Sequence, residues 1–251
     1  MRGHLGEHGA LWIVPEWSAP ANVRAFVTTR AGGVSGGEYA SLNLGARSGD
    51  SADNVARNRA IVREHLPAMP RWLAQVHGTA VATVDTVPPA EVPVADAAVA
   101  HSAGHVCAVL TADCLPVLLT DAAGTRVAVA HAGWRGMAAG VIENTVRALG
   151  GPPGDLVAWL GPAIGPETFE VGIDVHQAFT AGDAGAADAF RPHGDGKYLA
   201  DLYALARQRL ARAGVGRISG GGFCTLRDAE RFYSYRREKH SGRMGAFIWI
   251  A

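Results

Sequence analysis

The chain has 251 residues, of which 48% are apolar and 18% are charged, so it can bury a sizeable core. Its 23 basic residues equal its 23 acidic residues, which argues against a general binder of nucleic acid or anionic membranes. No stretch approaches the ~20 consecutive apolar residues of a membrane span. Three cysteines, a low and odd number, argue against a disulfide framework and predict a cytoplasmic location.

The first half of the chain predicts several strands and one helix. A strand at 23–29 leads into a glycine-marked turn at 30–33, and Asp50 or Ser51 is a candidate cap for a helix over 53–66. A short strand is predicted at 81–84, and apolar runs predict two more at 106–110 and 116–119. Because proline has no backbone N–H, the last of these is expected to begin at or after Pro116.

The second half predicts two amphipathic helices and the closing strands. A strand at 127–130 leads to His131, and a helix follows with one apolar face from Ala138 to Leu149. The later pattern predicts a strand at 156–160, a helix over 202–210 that ends at Gly214, and strands at 215–218 and 246–250. Strands and helices do not alternate regularly, so we expect an α/β or α+β fold with a mixed sheet rather than a doubly wound parallel sheet. Residues 1–10 are predicted to be a mobile tail and residues 11–251 a single compact domain.

Three short segments each place one possible metal ligand beside a strand end. They are Gln-Val-His-Gly around His77, Thr-Ala-Asp-Cys-Leu-Pro around Cys114, and Ala-His-Ala-Gly-Trp-Arg-Gly around His131. The three ligands are far apart in the chain, unlike the close pairs of zinc fingers, but a separated set suits a catalytic metal with one open position. The alternative is that the cysteine is a small buried hydrophobe and the histidines are ordinary satisfied polar residues.

Other residues near these segments are candidates for binding anions or moving protons. Arg135 and Gly136 open a helix, where backbone N–H groups and a guanidinium can hold phosphate, although an ordinary helix entry has the same pattern. Arg30, beside a Gly-Gly pair, predicts either an anion nest or a plain turn. Asp113 could orient a ligand or act as a general base, or it could be a turn residue.

Several motifs in one order carry a family resemblance from about residue 28 to the C-terminus. They include Thr28-Thr29-Arg30, Ser41-Leu42-Asn43-Leu44-Gly45, Gln75-Val76-His77-Gly78, Thr111-Ala112-Asp113-Cys114, His131-Ala132-Gly133-Trp134-Arg135-Gly136, Gly161-Pro162-Ala163-Ile164-Gly165-Pro166 and Tyr233-Ser234-Tyr235-Arg236-Arg237. The chain thereby resembles the YfiH-type family, also known as laccase-domain or multicopper polyphenol oxidase-like proteins.

The resemblance implies a compact mixed α/β domain, similar in fold to toxin deamidases, and a metal held by His77, Cys114 and His131. It implies zinc as the metal, with copper less favoured. The implied reactions are phosphorolysis of adenosine, inosine, guanosine and methylthioadenosine, and deamination of adenosine. The partners are then a small purine nucleoside and phosphate, with no protein partner evident.

The predicted roles divide the candidate residues into two groups. The catalytic group is His77, Cys114, His131 and Asp113, and the group that binds substrate or its anion is Arg30, Asn43, Arg135 and Gly136. The resemblance places Asn43 in the second group.

Three alternatives to a nucleoside phosphorylase remain open from the sequence. The first is a hydrolase or deamidase with Cys114 as nucleophile and His77 or His131 as its base, which requires a metal-free thiolate. The second is a copper-dependent phenol oxidase, which is disfavoured because multicopper sites use many histidines in His-x-His pairs, whereas this chain has 10 histidines and no such pair. The third is a zinc-carrying interaction module, whose structural site would need four protein ligands.

Overall fold

The computed structural model describes residues 12–88 and 90–251. The predicted mobile tail at 1–10 therefore lies outside the described residues. The strands are β1 (Val23–Val27), β2 (Pro70–Arg71), β3 (Val81–Thr83), β4 (Ala97–Ala100), β5 (Val106–Thr111), β6 (Leu115–Asp121), β7 (Val127–Ala132), β8 (Leu156–Leu160), β9 (Glu170–Val171), β10 (Phe190–Pro192), β11 (Tyr198–Ala200), β12 (Arg217–Gly220) and β13 (Met244–Ile250). The helices are α1 (Ala52–Arg63), α2 (Trp134–Ala139), α3 (Val141–Leu149), α4 (Ile173–Thr180) and α5 (Leu202–Arg212).

Two larger sheets and one small sheet organise these strands. The six-stranded sheet has the order β12-β8-β6-β7-β4-β3, and the four-stranded sheet has the order β1-β13-β5-β2. Each combines antiparallel central pairs with a parallel pair at an edge, such as β12 with β8 and β2 with β5. The expectation of a mixed α/β fold rather than a doubly wound parallel sheet is confirmed.

Strand β5 is apolar on both of its faces, which explains why the two larger sheets stack. In β5, Cys107 and Val109 belong to the apolar cluster between the sheets, whereas Val106 and Ala108 belong to a cluster on the opposite face, together with Val62 of α1. Because successive strand residues point to opposite faces, a strand without polar alternation must be covered on both sides. Cys107 is therefore a core residue.

The outer face of the six-stranded sheet is covered by helices. Leu115, Val117 and Leu119 of β6 share one cluster with Ile142 of α3 and Leu205 of α5. The four layers are thus α1, the four-stranded sheet, the six-stranded sheet, and the helices α3 and α5. None of the described helices is long and apolar enough to cross a bilayer.

Two local predictions were wrong in detail. The strand expected to begin at or after Pro116 begins at Leu115, because the hydrogen bonds of β6 to its neighbours tolerate a proline close to the strand start. The helix expected to run without a break to Leu149 is divided at Gly140, whose φ of 102° belongs to the left-handed region. Glycine adopts that conformation without the steric cost of a Cβ atom.

Strand pairing brings distant parts of the sequence to one end of the six-stranded sheet. The register pairs Leu115 with Ala132 and Pro116 with His131, so the residue before β6 lies beside the end of β7. On the other side of β7, Ala97 pairs with Ala130, which places Asp96 beside His131. Because β5 and β6 belong to different sheets, the turn that joins them lies where the two sheets meet.

Candidate metal centre and active-site cleft

His77, Cys114 and His131 converge at this end of the sheet. Their possible ligand atoms all lie within 4.8 Å of one another, and His77 Nε2 is 3.8 Å from Cys114 Sγ. A tetrahedral ion with bonds of ~2.3 Å to sulfur and ~2.1 Å to nitrogen would separate those two atoms by about 3.6 Å. Two imidazoles and a thiol at this spacing match the donor set and the size of a zinc or copper site.

The three side chains differ in how the fold exposes them. His131 is the next-to-last residue of the buried strand β7 and is only 4% exposed, whereas His77 is exposed in the loop between β2 and β3, and Cys114 is half-buried. His77 has a φ of 59° and Asp113, beside Cys114, a φ of 84°. Left-handed backbone at non-glycine residues is uncommon and must be held by surrounding contacts. The arrangement leaves one side of the triad open to solvent.

Asp96 supplies those contacts for the His77 loop, and sequence reasoning missed it. Its fully buried carboxylate accepts hydrogen bonds from the backbone N–H groups of Val76 at 3.1 Å, His77 at 2.9 Å and Gly78 at 2.7 Å. The same carboxylate lies 2.8 Å from Nδ1 of His131. Burial raises the pKa of Asp96, but these hydrogen bonds outweigh it and hold the pKa below its usual value. The only sequence signal was an acidic residue directly before an apolar strand.

Gly133 keeps space for the triad. A Cβ atom at this position would lie 2.8 Å from Cys114 Sγ and 3.0 Å from Cδ2 of His77. Its φ of −65° and ψ of 157° are open to any residue, so the absence of a side chain, and not backbone freedom, is what the position uses.

The thiol of Cys114 and the imidazole of His131 form a mutually stabilising pair in the metal-free protein. Burial raises the pKa of Cys114, but His131 and His77 outweigh it and lower the pKa to about 6. Burial lowers the pKa of His131, but Cys114 and Asp96 outweigh it and raise the pKa to about 9. The pair is thus a thiolate and an imidazolium near neutral pH, and a thiolate is the form that binds a metal or attacks a substrate.

Asp113 lies next to the triad but both of its oxygens already accept hydrogen bonds. Oδ1 accepts from Thr225 Oγ1 at 2.6 Å, and Oδ2 accepts from the backbone N–H of Arg236 at 2.7 Å. These contacts tie the Cys114 turn to two loops from the C-terminal part of the chain. Its role as a proton carrier stays a prediction.

The structure does not bring Arg30 and Asn43 to the triad. Arg30 donates from Nε to the carbonyl of Ala40 and from Nη1 to that of Ala229, each at 2.9 Å. Asn43 is fully buried, and its Oδ1 accepts from the backbone N–H groups of Gly45 and Arg243. Neither residue lines the cleft over the triad, so both hold loops in place instead of facing the cleft as expected.

Arg135 and Gly136 take different positions around the triad. Arg135 is exposed, lines the cleft and lies with its guanidinium carbon 4.4 Å from the ring centre of Trp134. Gly136 is buried behind the triad, where an added Cβ would lie 2.8 Å from the carbonyl oxygen of Gly78. Arg135 can therefore face a ligand, and Gly136 lets α2 approach the His77 loop.

The cleft over the triad measures about 880 Å³ and is strongly cationic. Of the described residues that line it, five are arginines and Asp113 is the single acid; the arginines are Arg47, Arg59, Arg135, Arg236 and Arg243. Aromatic side chains of Trp72, Trp134, Phe169 and Tyr235 line it as well. Cationic and flat apolar surfaces together suit a ligand with an anionic part and a ring system.

Arg243 is the second residue that sequence reasoning missed. Burial lowers its pKa, whereas the charges of Cys114 and Asp113 oppose that change, which reflects a guanidinium near the triad. Its Nη1 donates to the carbonyl oxygens of Ser241 and Gly242 at 2.7 and 2.9 Å. The residue comes from the loop before β13, and only the pairing of β13 with β5 brings that loop to the Cys114 turn.

Comparison with known proteins gives matches over nearly the whole chain. The purine nucleoside phosphorylase YfiH of Escherichia coli is 55% identical over 240 residues, covering 95% of this chain and 98% of that protein. A Pseudomonas aeruginosa protein named purine nucleoside phosphorylase is 52% identical with the same coverage.

Solved structures also match over nearly the whole chain. A Neisseria meningitidis protein superposes with a TM-score of 0.92 at 50% identity, over 95% of this chain and 98% of that one. YlmD from Geobacillus stearothermophilus gives a TM-score of 0.81 at 32% identity, over 92% of each chain. Residues 24–251 match the family described as multi-copper polyphenol oxidoreductase laccase. The chain therefore belongs to this laccase-like family, and it is similar in sequence to the YfiH protein of Escherichia coli.

Proposed function

We propose that the protein is a zinc-dependent purine nucleoside phosphorylase that accepts adenosine, inosine, guanosine and methylthioadenosine, and that it also deaminates adenosine. The observation that carries the proposal is the convergence of two imidazoles and a thiol in a cleft lined by five arginines and four large aromatic side chains. The names of the relatives support the same reaction class. We assign the activity to a single catalytic domain over residues 11–251, in the cytoplasm.

The cationic cleft provides for the phosphate. In phosphorolysis a phosphate oxygen bonds to C1′ of the ribose while the bond to the purine nitrogen breaks, so the products are a free purine and ribose 1-phosphate. Arg135 and Arg243 both line the cleft, and a guanidinium offers paired N–H donors that match phosphate oxygens. Holding phosphate against the sugar removes much of the entropic barrier to the reaction.

The aromatic lining provides for the purine. Trp134, Phe169 and Tyr235 line the same cleft and offer flat apolar faces for the ring system. The departing purine needs a proton, and Asp113, beside Cys114 in the lining of the same cleft, is the proton carrier that we propose for it. When bound by His77, Cys114 and His131, zinc would act as a Lewis acid beside the substrate.

The direct test is product analysis with purified, zinc-loaded protein. Adenosine with phosphate should give adenine and ribose 1-phosphate, and adenosine with water alone should give inosine and ammonia. Inosine, guanosine and methylthioadenosine should each release their purine only when phosphate is present. If none of these products forms while zinc is bound, the proposed function is wrong.

Two variants of the triad and one control variant separate catalysis from folding. Cys114→Ser and His77→Ala should retain the fold and lose activity, since the two side chains lie at the cleft surface. Cys107→Ser is the control for the cysteine, because Cys107 is buried in the core and lies outside the cleft. It should alter stability while leaving the activity of the folded protein unchanged.

A Cys-His hydrolase or deamidase is the second candidate, and the Cys114–His131 pair favours it. The pKa of Cys114 near 6 makes it a thiolate at neutral pH, which is the requirement for a nucleophile. Metal dependence distinguishes the two proposals. A chelator should abolish a zinc-dependent reaction, whereas it should release the activity of a cysteine nucleophile.

Copper is the alternative metal, and the family description points to it. Within residues 12–88 and 90–251, one group of three His, Cys or acidic ligands is found, whereas a multicopper centre requires several such groups. We therefore propose zinc at the triad and treat phenol oxidation as the less favoured activity. Metal analysis of protein purified without added metal, followed by a phenol oxidation assay, tests this choice.

A further inference from the structure

We propose that Asp96 is the positioning residue of the metal centre, and that one carboxylate holds both imidazoles in the orientation that the centre needs. The inference rests on the proposed metal site. Asp96 is fully buried and does not line the cleft, so it cannot contact a metal ion or a substrate there. Its effect must therefore act through His77 and His131.

The contact with His131 fixes the tautomer of that ring. Asp96 Oδ1 lies 2.8 Å from His131 Nδ1, and a carboxylate can only accept. The proton of a neutral His131 is thus held on Nδ1, and Nε2 keeps its lone pair for a metal ion on the cleft side. The backbone also joins the two residues, because the N–H of His131 donates to the carbonyl of Asp96 at 2.7 Å.

The contact with the His77 loop fixes the other ring through the backbone. Three successive N–H groups, from Val76 to Gly78, point at the same carboxylate, as in a nest that binds an anion. His77 has a φ of 59° within this loop, a conformation that a non-glycine residue adopts only under constraint. Asp96 supplies the negative charge that makes this turn favourable, so the direction of the His77 side chain depends on it.

An amide cannot replace the Asp96 carboxylate, because each of its two oxygens accepts two of the four hydrogen bonds. Oδ1 accepts from His77 N and His131 Nδ1, whereas Oδ2 accepts from Val76 N and Gly78 N. In Asp96→Asn, the single oxygen can occupy only one of these places, and the NH₂ group then faces two other donors. Either the turn around His77 opens, or His131 must accept at Nδ1 and carry its proton on the nitrogen that should bind the metal.

The test is zinc affinity of Asp96→Asn, measured on the folded protein by competition with a chelating dye. The zinc dissociation constant should rise by roughly 10- to 100-fold, the usual effect of losing a carboxylate that orients a histidine ligand. Amide hydrogen exchange at His77 and Gly78 should accelerate in the metal-free variant. At alkaline pH, where the His131 ring of the metal-free protein is neutral, its tautomer read from ¹⁵N chemical shifts should change from a proton on Nδ1 in wild type to a mixture or to Nε2 in the variant if the histidine contact is the one lost.

Asp121→Asn is the matched control. Asp121 is also a buried carboxylate, 5% exposed, and accepts from the backbone N–H groups of Thr125 and Arg126 at 2.7 and 3.2 Å. It ends β6 at the far end from Cys114, so its amide variant should lose stability without changing zinc affinity. Equal zinc affinity in wild type and Asp96→Asn, with an unchanged His131 tautomer, would overturn the proposal.

A wild-type measurement keeps the proposal testable if Asp96→Asn does not fold. In the zinc-loaded protein, ¹⁵N spectra of His131 should show the proton on Nδ1, and a proton on Nε2 would overturn the role of Asp96. If wild type binds no zinc at all, the proposed metal dependence fails. In that case the exchange rates of the His77 turn, and the tautomer of His131 at alkaline pH where the ring is neutral, still decide the role of Asp96 in the metal-free protein.

Discussion

Replacing Gly133 with alanine tests whether the space around the triad controls its chemistry. The new Cβ atom would lie 2.8 Å from Cys114 Sγ and 3.0 Å from His77 Cδ2. Non-bonded heavy atoms settle at about 3.5–4.0 Å, so the sulfur must move by about 0.7–1.2 Å and the imidazole by about 0.5–1.0 Å. The backbone angles at Gly133 are compatible with alanine, so this displacement is the whole effect of the change.

The size of the displacement sets the expected loss. Catalytic groups work within about 0.5 Å of their productive geometry, and a displacement near 1 Å can cost about 100-fold in rate. We expect Gly133→Ala to lose about 100-fold in kcat/KM for adenosine phosphorolysis and to bind zinc more weakly. Overpacking should lower the free energy of unfolding by about 1–3 kcal/mol.

The assay is steady-state release of adenine, with zinc content and thermal unfolding measured on the same samples. Gly216→Ala is the control, because an added Cβ there meets no atom within 4 Å. It should keep full activity and gain slightly in stability, since alanine restricts the unfolded chain. Wild-type zinc affinity together with activity within threefold of wild type in Gly133→Ala would refute the steric reasoning.

Three further predictions concern the thiolate pair, the phosphate and the helix break. In metal-free protein, alkylation of Cys114 by iodoacetamide should rise with a midpoint near pH 6, and a midpoint near the ordinary thiol value of 9 would contradict the thiolate pair. The stabilisation that the pair gives the fold should be lost as pH falls through about 6, when the thiolate is protonated, and as pH rises through about 9, when His131 loses its proton. Arg135→Ala should raise the KM for phosphate roughly 10- to 100-fold, because hydrogen bonds to charged groups contribute about 1.5–3 kcal/mol. The control is Arg57→Ala on α1, an exposed arginine outside the cleft, which should leave the KM for phosphate unchanged. Equal KM values in both variants would exclude Arg135 from phosphate binding. Gly140→Ala should lower the free energy of unfolding by about 1–2 kcal/mol in a denaturant titration, because alanine is strained at a φ of 102°, and an unchanged midpoint would show that the helix can run through this position.

The apolar patterning explains how much of the fold the sequence predicts. The strands at 106–110 and 156–160 and the helix over 202–210 are found within a few residues of their expected positions, because each apolar pattern reflects local burial. The pattern cannot assign a strand to a sheet. β5 and β6 read as consecutive apolar runs, yet they belong to two stacked sheets, and that arrangement places the Cys114 turn between them.

What the sequence by itself determined is the chemistry available: a thiol, two imidazoles and several arginines in or beside the ends of strands. Which of these meet was decided by the tertiary structure, because β-strand register joins residues that are distant in the chain. Pairing of β4 with β7 brings Asp96 to His131, pairing of β13 with β5 brings Arg243 to the cleft, and the same packing leaves Arg30 bonded to backbone carbonyls elsewhere. Local sequence does not indicate such contacts, because the sequence around a single acid or arginine is the same whether the residue lies in a solvated loop or beside a metal ligand.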